Sequence, residues 1–410
     1  MRPLWRNIGW LLASRGVNAA LSLVYLALAT RSLGLADFGR FTLIVVMAQA
    51  IVGVASFQTW QAIVRWGTPQ DVRHAAGFAV ALDLCSIAIG TLIAAVSCWF
   101  APMVLPLPPD LRGVAFALCV AALTAIRSTP TGLLRLHDRY DRAAIAEAVL
   151  PALRAVGGVM AALIHPCIET FIAAWAVAEL GCAAAYWHLA QRLQPISVND
   201  ISLFRLPRLH HEVWRFVWAT NLSRSLSVLS RQVLLLIVGA LGGPALAAGY
   251  RVASQLGQAL VQLAEAVGRA IYPEFVRQGD NAEAIAASMA RLALIGGTAA
   301  TLLALVGGAW AIEIIAGPTF VFAATAMVVL TTAGACELWI ASWDALLVAK
   351  GWAATAFAIR AVPLALSLAA IPWAIAWSGL QGVAISLLAS SLCMAAGFAW
   401  VLRYRRSALS

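Results

Sequence analysis

Long apolar runs dominate this chain of 410 residues, and short gaps that contain proline, glycine or charge separate them. A helix needs about 20 apolar residues to cross the ~30 Å hydrocarbon layer of a membrane. Twelve runs are long enough, and we number the helices that they predict as spans 1 to 12: residues 8–30, 40–63, 77–100, 113–132, 144–164, 168–190, 213–240, 246–271, 288–312, 320–343, 353–376 and 380–402. The pattern therefore predicts an all-α, polytopic membrane protein.

The composition supports the membrane interpretation. Hydrophobic residues make up 62% of the chain, charged residues make up 11%, and the mean hydropathy is +0.86. A soluble protein is typically about 45–50% apolar and about 25% charged. The net charge of +10 is typical of nucleic-acid-binding proteins too, but the basic residues lie mostly in the short gaps between apolar runs. We therefore expect membrane lipids and not nucleic acid as the surroundings of this protein.

The distribution of the basic residues predicts the orientation. Basic residues are enriched in the cytoplasmic loops of membrane proteins. If the N-terminus is cytoplasmic and the sides alternate, seventeen of the 28 basic residues fall on the cytoplasmic side and eight lie in or at the ends of spans. The opposite side then carries only Arg31, Arg40 and Arg112. This asymmetry favours an even number of spans with both termini in the cytoplasm.

The chain divides near its middle. The longest hydrophilic stretch predicts a cytoplasmic linker at 191–212, between an N-terminal six-helix lobe at 1–190 and a C-terminal six-helix lobe at 213–410. The lobes also resemble each other, because Arg15 in span 1 leads to Leu33-Gly34 and Arg224 in span 7 leads to Leu241-Gly242 at nearly the same spacing. Six is an even number, so the lobes are predicted to be a parallel repeat about an axis along the membrane normal.

Span 8 carries a polar stripe. Polar residues recur at intervals of three or four and lie within about 80° of one another at ~100° per residue; they are Arg251, Gln255, Gln258, Gln262, Glu265 and Arg269. An ionisable residue near the centre of a membrane helix costs at least ~2.5–3.5 kcal/mol unless it faces a polar surrounding. One face of span 8 is therefore expected to meet water or a polar ligand.

Spans 1 and 7 have shorter polar stripes, which place Arg15, Asn18 and Ser22 on one helix and Asn221, Arg224, Ser227 and Arg231 on the other. If the lobes face each other, these two helices line one central cavity. The alternative is that such groups fasten helices together through hydrogen bonds and ion pairs. Glu147 and Arg154, seven residues apart in span 5, are a candidate pair of this kind. Single ionisable residues without an evident partner are Asp83, Glu179, Glu337, Asp344 and Arg360.

The chemistry of these side chains favours an anionic, sugar-bearing ligand. Guanidinium groups bind phosphate through paired hydrogen bonds and keep their charge at any relevant pH. We predict a site for a lipid diphosphate made by Arg15, Arg224, Arg231, Arg251 and Arg269. We predict a path for the glycan lined by Asn18, Asn221, Gln255, Gln258 and Gln262. The seven cysteines form no metal-binding pattern, so neither a metal nor a cofactor is expected.

Several segments resemble one family of membrane proteins. Arg31–Phe41, after span 1, is similar to the motif "aRxLGxxxFGxf" of the Wzx-type lipid-linked oligosaccharide flippases, which belong to the MOP superfamily. Further similar segments follow in the family's order at Ala62–Arg65, Pro130–Arg135, Leu234–Gly242, Tyr272-Pro273, Gly317–Phe320 and Leu346–Gly351. Together they cover nearly the whole chain.

The resemblance implies a MATE-like fold of two six-helix lobes and transport by alternating access. The implied substrate is an undecaprenyl-diphosphate-linked oligosaccharide for O-antigen, exopolysaccharide or capsule, moved from the cytoplasmic to the outer leaflet of a bacterial inner membrane. A polymerase and glycosyltransferases of the same pathway are implied partners. The chain departs from the family where Gln232 replaces an acidic residue beside Arg224. The ion coupling is therefore open, with Asp83, Glu179 and Glu265 as its candidates.

Two other functions remain open. A membrane polymerase or glycosyltransferase would use the same lipid carrier, but such enzymes place catalytic groups in a long outer loop, and every outer gap here is short. A multidrug antiporter of the same superfamily would also have twelve spans in two lobes. Export of cationic drugs favours an acidic and aromatic cavity, whereas the stripes here carry arginine and amide groups. We therefore expect a transporter and not an enzyme.

Overall fold

The structure is a computed structural model that describes residues 2–276, 282–349 and 352–407. Its α-helices are α1 (Arg2–Ala55), α2 (Thr59–Trp66), α3 (Val72–Val104), α4 (Arg112–Thr124), α5 (Ser128–Leu136), α6 (Tyr140–Ile164), α7 (Ile168–Gln191), α8 (Arg205–Leu209), α9 (Val213–Val276), α10 (Ala282–Ile315), α11 (Ala324–Ala349) and α12 (Ala353–Ser407). Short 3₁₀ turns lie at Pro109–Leu111, Val198–Asp200 and Pro318–Ala323. The prediction of an all-α membrane protein is confirmed.

The number of spans depends on how the long helices are counted. Nine helical stretches in the described ranges are long and apolar enough to cross a membrane. Three of the helices, α1, α9 and α12, each contain a residue with non-helical backbone angles and so consist of two helices joined at a kink. The described helices match the twelve predicted spans when α1, α9 and α12 are each divided at the kink and the five-residue α8 is left out. In this count α2 belongs with the second part of α1, and α4 and α5 form one span.

The kinks in α1 and α9 reveal the internal repeat. Gly34 has φ 71° and ψ −176°, and Gly243 has φ 80° and ψ 176°. Only glycine adopts this region of backbone space without strain. Gly243 follows Arg224 by the same number of residues as Gly34 follows Arg15, so the two helix pairs share one register. The sequence pointed to Gly242 as the equivalent of Gly34, which is wrong by one residue.

The described chain forms two compact units. The N-unit comprises Gly16–Ala240, and the C-unit comprises Met1–Arg15 together with Leu241–Ser410. The first part of α9 packs within the N-unit, where Ser225 Oγ donates to the Gly53 carbonyl at 3.2 Å and Gln232 Nε2 donates to Gln49 Oε1 at 3.2 Å. The division into lobes at 1–190 and 213–410 rests on the sequence repeat, and it stays a prediction.

The predicted linker at 191–212 is folded against the N-unit. The Asp200 carbonyl lies so close to Gly77 in α3 that a Cβ at Gly77 would come within 1.9 Å of it. Leu206 in α8 is fully buried in a cluster with Phe57, Trp66 and Phe78. Apolar burial of this kind is worth about 1.5–3 kcal/mol for one leucine side chain. The linker is therefore part of the N-unit and not a free tether.

Two spans of the N-unit are broken near each other. The helical run that begins in α1 stops at Ala55 and resumes as α2 at Thr59, and α4 stops at Thr124 before α5 begins at Ser128. A hydrogen bond joins the two breaks, because the Trp60 amide donates to Ser128 Oγ at 3.1 Å. Trp187 of α7 also binds the second break, since its Nε1 donates to the Ile126 carbonyl at 3.0 Å. Backbone groups freed inside a membrane protein need such partners.

In the C-unit, α10, α11 and α12 pack side by side around small residues. A Cβ on Gly297 of α10 would lie 2.6 Å from the Ala335 Cβ of α11. Ile340, Leu347 and Phe398 form the centre of an apolar cluster between α11 and α12. Small residues of this kind let membrane helices approach closely enough for dispersion contacts.

We predict that Gly34→Ala destabilises the protein. Open space surrounds Gly34, with no atom within 4 Å of an added Cβ, so the cost comes from the backbone angles alone. A non-glycine residue held in this region costs on the order of 1–3 kcal/mol. The thermal unfolding midpoint of the purified protein in detergent should fall.

The matched control is Gly307→Ala in α10, where a Cβ also meets open space but the backbone is helical. This change should leave the midpoint unchanged or raise it, since alanine in a helix is favoured over glycine by roughly 0.5–1 kcal/mol. Equal effects of the two substitutions would contradict the assigned kink.

Candidate functional site

The polar stripe of span 8 lies on the second part of α9, after the kink at Gly243. Its described polar side chains run from partly buried to fully exposed: Arg251 and Gln255 are half-buried, and Gln258 and Gln262 are exposed. The intervening residues Val252, Ala253 and Leu256 are buried. The helix therefore has one packed apolar face and one open polar face, as the sequence periodicity predicted.

The packed face of this helix meets α11 and the 3₁₀ turn Pro318–Ala323 that precedes it, within the C-unit. A Cβ on Gly257 would lie 2.8 Å from the Thr331 hydroxyl, and one on Gly249 would lie 2.7 Å from the ring of Phe322. The glutamines point away from these contacts, since Gln258 and Gln262 remain exposed. The C-unit itself thus leaves the amide groups uncovered.

Several predicted site residues lie where the structure describes only the helical backbone. Their side chains are outside the described part of the structure; they are Arg15 and Asn18 in α1, and Arg224, Arg231, Glu265 and Arg269 in α9. The convergence of these arginines on one diphosphate stays a prediction. Arg251 is described and takes part in a polar or ring contact.

Asn221 differs from the other members of the predicted glycan path. Its side chain is only 6% exposed, and its Oδ1 accepts from Ser225 Oγ at 3.5 Å. Ser225 in turn donates to the Gly53 carbonyl of α1. This part of α9 fits the alternative in which polar groups fasten helices together, and a glycan contact by Asn221 stays a prediction.

Asp83 in α3 holds the two helix breaks of the N-unit together. Its carboxylate is 4% exposed and accepts from the Thr59 hydroxyl at 3.1 Å and from the Thr129 hydroxyl at 2.5 Å. Both threonines lie in the first turns of the helices that resume after the breaks, α2 and α5. Helix N-termini carry partial positive charge, so they favour a carboxylate at this position. No acid-to-base contact within 4 Å involves Asp83 among the described residues.

Glu179 in α7 lies between two arginines in the middle of the N-unit. Its Oε1 is 2.6 Å from Arg154 of α6, and its Oε2 is 2.8 Å from Arg127, which lies in the break between α4 and α5. The Arg154 guanidinium also lies 3.5 Å from the centroid of the Trp175 ring. Only 9% of the Glu179 side chain is exposed. The sequence treated Glu179 as a single residue without a partner, and that was wrong.

The predicted pair of Glu147 and Arg154 does not form. Glu147 accepts from the Tyr186 hydroxyl at 2.9 Å, whereas Arg154 binds Glu179. Seven residues along a helix separate the two side chains by about 10 Å, which is two turns. Glu179 on the adjacent helix lies at the level of Arg154, so the contact between helices replaces the contact along one helix.

A second charged cluster lies in the C-unit and contains more acidic than basic groups. Arg360 of α12 is 3.1 Å from Glu337 and 2.8 Å from Asp344, both in α11. Ser391 Oγ also donates to Glu337 at 3.4 Å. These charges are 26–41% exposed, so they are less buried than the cluster at Glu179. The N-unit cluster joins two arginines to one acid, and the C-unit cluster joins two acids to one arginine.

The comparisons with known proteins give the family. The model of the family described as "Polysaccharide biosynthesis protein" matches residues 4–278. The chain belongs to the polysaccharide biosynthesis protein family. It is 30% identical over 287 residues to "Inner membrane protein YghQ" of Escherichia coli (strain K12), a match that covers 67% of this chain and 81% of the relative.

Solved structures show that this member of the polysaccharide biosynthesis family has the two-lobe fold of the MOP superfamily. An inward-facing multidrug resistance MATE family transporter superposes with a TM-score of 0.72 at 17% identity and covers 95% of both chains. Lipid II flippase MurJ in an inward closed conformation superposes with a TM-score of 0.73 at 8% identity, over 95% of this chain and 87% of that chain. The resemblance noted in the sequence is confirmed.

The sequence pattern did not identify Arg127 as a member of the buried cluster around Glu179. Arg127 lies in the gap between α4 and α5, which the hydropathy pattern merged into one span. A signal was present, because Ser128-Thr129-Pro130 is a typical helix start with proline in the first turn. The pairing with Glu179 depends on how the helices pack, and the sequence alone does not contain it.

We predict that Glu179→Gln strongly lowers the stability of the folded protein. Removal of one partner from a buried ion pair leaves charge without compensation and typically costs about 3–5 kcal/mol. Here two arginines, 32% and 18% exposed, would lose their shared carboxylate. Thermal unfolding of the purified protein in detergent measures the change.

Glu212→Gln is the matched control, because Glu212 pairs with Arg65 where the side chains are 61% and 47% exposed. An exposed pair of this kind contributes about 0–1 kcal/mol. If Glu212→Gln lowered the unfolding midpoint as much as Glu179→Gln, the buried cluster would have no special structural role.

Proposed function

We propose that the protein translocates an undecaprenyl-diphosphate-linked oligosaccharide from the cytoplasmic to the outer leaflet of a bacterial inner membrane. The translocated glycan would enter O-antigen, exopolysaccharide or capsule synthesis. Membership of the polysaccharide biosynthesis family and the MOP fold support a membrane transporter acting on a lipid-linked substrate. Under this proposal both termini are cytoplasmic, in agreement with the distribution of basic residues.

The open polar face of α9 is the observation that carries this proposal. Gln258 and Gln262 are exposed on a helix whose other face packs against α11. Polar groups in a membrane span cost free energy if they face lipid, so such a stripe is expected to face water or a polar ligand. Amide groups both donate and accept hydrogen bonds, which suits the hydroxyl groups of a sugar. A glycan path along α9 satisfies both requirements.

The lipid diphosphate would be held by the arginines of α1 and α9. In this proposal Arg15 and Arg224 bind the phosphates, assisted by Arg231, Arg251 and Arg269. Their helices share one register through the kinks at Gly34 and Gly243. Guanidinium groups bind phosphate oxygens in a forked geometry without loss of charge. The lipid tail would remain in the bilayer while the head group crosses, and rocking of the lobes would expose the site to each side in turn.

We propose that an acidic residue of the N-unit binds the ion that drives transport. Of the three candidates, Glu179 is compensated by two arginines, and Glu265 has no described side chain. Asp83 is held only by hydroxyl and helix-terminal groups among the described residues. Protonation of Asp83 would change the net charge at the two helix breaks. We therefore favour Asp83 as the coupling residue.

The alternative is a multidrug antiporter, since a MATE transporter shares the fold. The open face of α9 argues against it, because the exposed side chains of the stripe that the structure describes are the neutral amides of Gln258 and Gln262. Binding assays with the purified protein separate the two functions: a lipid pyrophosphate should bind, and cationic dyes should not.

The proposal includes no catalytic step, and a polymerase and glycosyltransferases would be partners in the pathway.

We predict that Gln258→Leu combined with Gln262→Leu greatly reduces surface glycan in the native host, while the protein still inserts into the membrane. The leucines would replace the hydrogen-bonding groups of the path without a loss of helix propensity. Arg224→Ala should abolish surface glycan through loss of the head-group site. Immunoblots of the surface polysaccharide and of the membrane fraction measure both effects.

Two matched controls lie in the C-unit, which also contains Gln258 and Gln262. Gln381→Leu removes an exposed amide outside the stripe, and Arg291→Ala removes an exposed arginine of α10. Both variants should export glycan at the wild-type level. Normal export by the variant that combines Arg15→Ala with Arg224→Ala would remove the proposed diphosphate site, and normal export by the glutamine double variant would remove the glycan path.

A further inference from the structure

A shallow cleft opens where α3 ends and α4 begins, within the N-unit. Its volume is about 240 Å³, comparable to roughly eight water molecules at ~30 Å³ each. Its lining is almost entirely apolar except for one guanidinium group, and it consists of Ala95, Cys98, Trp99, Arg112, Gly113 and Phe116. None of these residues belongs to the proposed transport path.

The surroundings of the cleft mark a membrane boundary. Trp99, Phe100 and Met103, near the end of α3, are 63%, 51% and 73% exposed. Large apolar side chains this exposed on a membrane protein face lipid, and tryptophan is enriched at the level of the head groups. The proline-rich connection that follows α3 leads to Arg112 at the start of α4. The cleft therefore lies at head-group depth, on the side opposite the α2–α3 connection.

Arg112 has no acidic partner within 4 Å among the described residues. Its guanidinium lies 5.2 Å from the centroid of the Trp99 ring, and its Nε is buried without a hydrogen-bond partner. Arg40, another basic residue predicted on this side, also has a buried Nε without a partner, but its guanidinium is paired with Asp37 at 2.7 Å. A positive charge beside an apolar cleft at the membrane boundary favours a ligand that combines an anionic group with an apolar group.

We propose that this cleft binds an anionic phospholipid of the surrounding membrane. The phosphate group is held by the Arg112 guanidinium, with support from the positive N-terminal end of α4. The glycerol and the first methylene groups lie on the apolar wall made by Ala95, Cys98 and Phe116. In the proposed orientation this lipid belongs to the outer leaflet. The proposal concerns a structural lipid and does not depend on the transport function.

The apolar lining of the cleft favours a phospholipid over a free phosphate as the ligand. A small inorganic anion would gain the contact with Arg112 but would leave the rest of the cleft empty. A phospholipid uses both features, since its phosphate is ionised and its acyl ends are apolar. A net negative head group, as in phosphatidylglycerol, matches the unpaired charge better than the zwitterionic head group of phosphatidylcholine.

Native mass spectrometry of the delipidated protein in detergent tests this proposal. The protein is titrated with phosphatidylglycerol, phosphatidylcholine or inorganic phosphate, and the bound adducts are counted. The wild type should retain phosphatidylglycerol in preference to phosphatidylcholine. Arg112→Gln should weaken the retention of phosphatidylglycerol about tenfold or more, because a hydrogen bond to a charged group is lost. Arg112→Lys should restore part of it.

Two further variants separate the cleft from general effects of charge and folding. Arg40→Gln removes an arginine predicted on the same side that already has an acidic partner, and it should bind as the wild type does. Gly113→Leu places a side chain into open space at the cleft while Arg112 stays intact, and it should lose the lipid. Equal binding by Arg112→Gln and the wild type, equal loss in Arg40→Gln, or displacement of the lipid by inorganic phosphate would overturn the proposal.

Discussion

The free-energy cost of placing a polar group in the hydrocarbon layer of the membrane is the main constraint on this structure. A charge inside the membrane is stable only if another group compensates it or if it faces a polar space. The described charges of the N-unit follow this rule, because Glu179 lies between Arg127 and Arg154, and Asp83 lies between two threonine hydroxyls. Among the described residues, no such partner is found for the exposed Gln258 and Gln262 of α9. Their position is the reason to assign a polar path to that face.

The broken helices follow from the same cost. A break in a membrane helix frees backbone groups that lipid cannot satisfy. In the N-unit the side chains of Ser128 and Trp187 bind backbone groups at the breaks before α2 and α5. The Asp83 carboxylate accepts from the hydroxyl groups of Thr59 and Thr129 at the same breaks. The arrangement links three helices through one carboxylate. A change in the charge of Asp83 would therefore act on all three helices at once, which is why we propose it as the coupling residue.

The charged cluster of the N-unit differs in composition from the charged cluster of the C-unit. In the N-unit two arginines share one acid, and in the C-unit two acids share one arginine. A repeat fixes the helix order and the positions of the kink glycines, but it leaves the charges on each helix free to diverge. The folded linker is a further feature of the N-unit, since Leu206 and Asp200 pack against α2 and α3.

The sequence by itself determined the helical class, the positions of the spans and the polar stripe of α9. These features depend on one helix at a time, because the thickness of the bilayer sets the length of a span and the helical period sets its faces. The tertiary structure alone decided that Arg154 pairs with Glu179 and not with Glu147, that Asp83 joins two helix breaks, and that the linker packs against the N-unit through Leu206. Such contacts depend on the depth and rotation of neighbouring helices, which are fixed only when the helices pack.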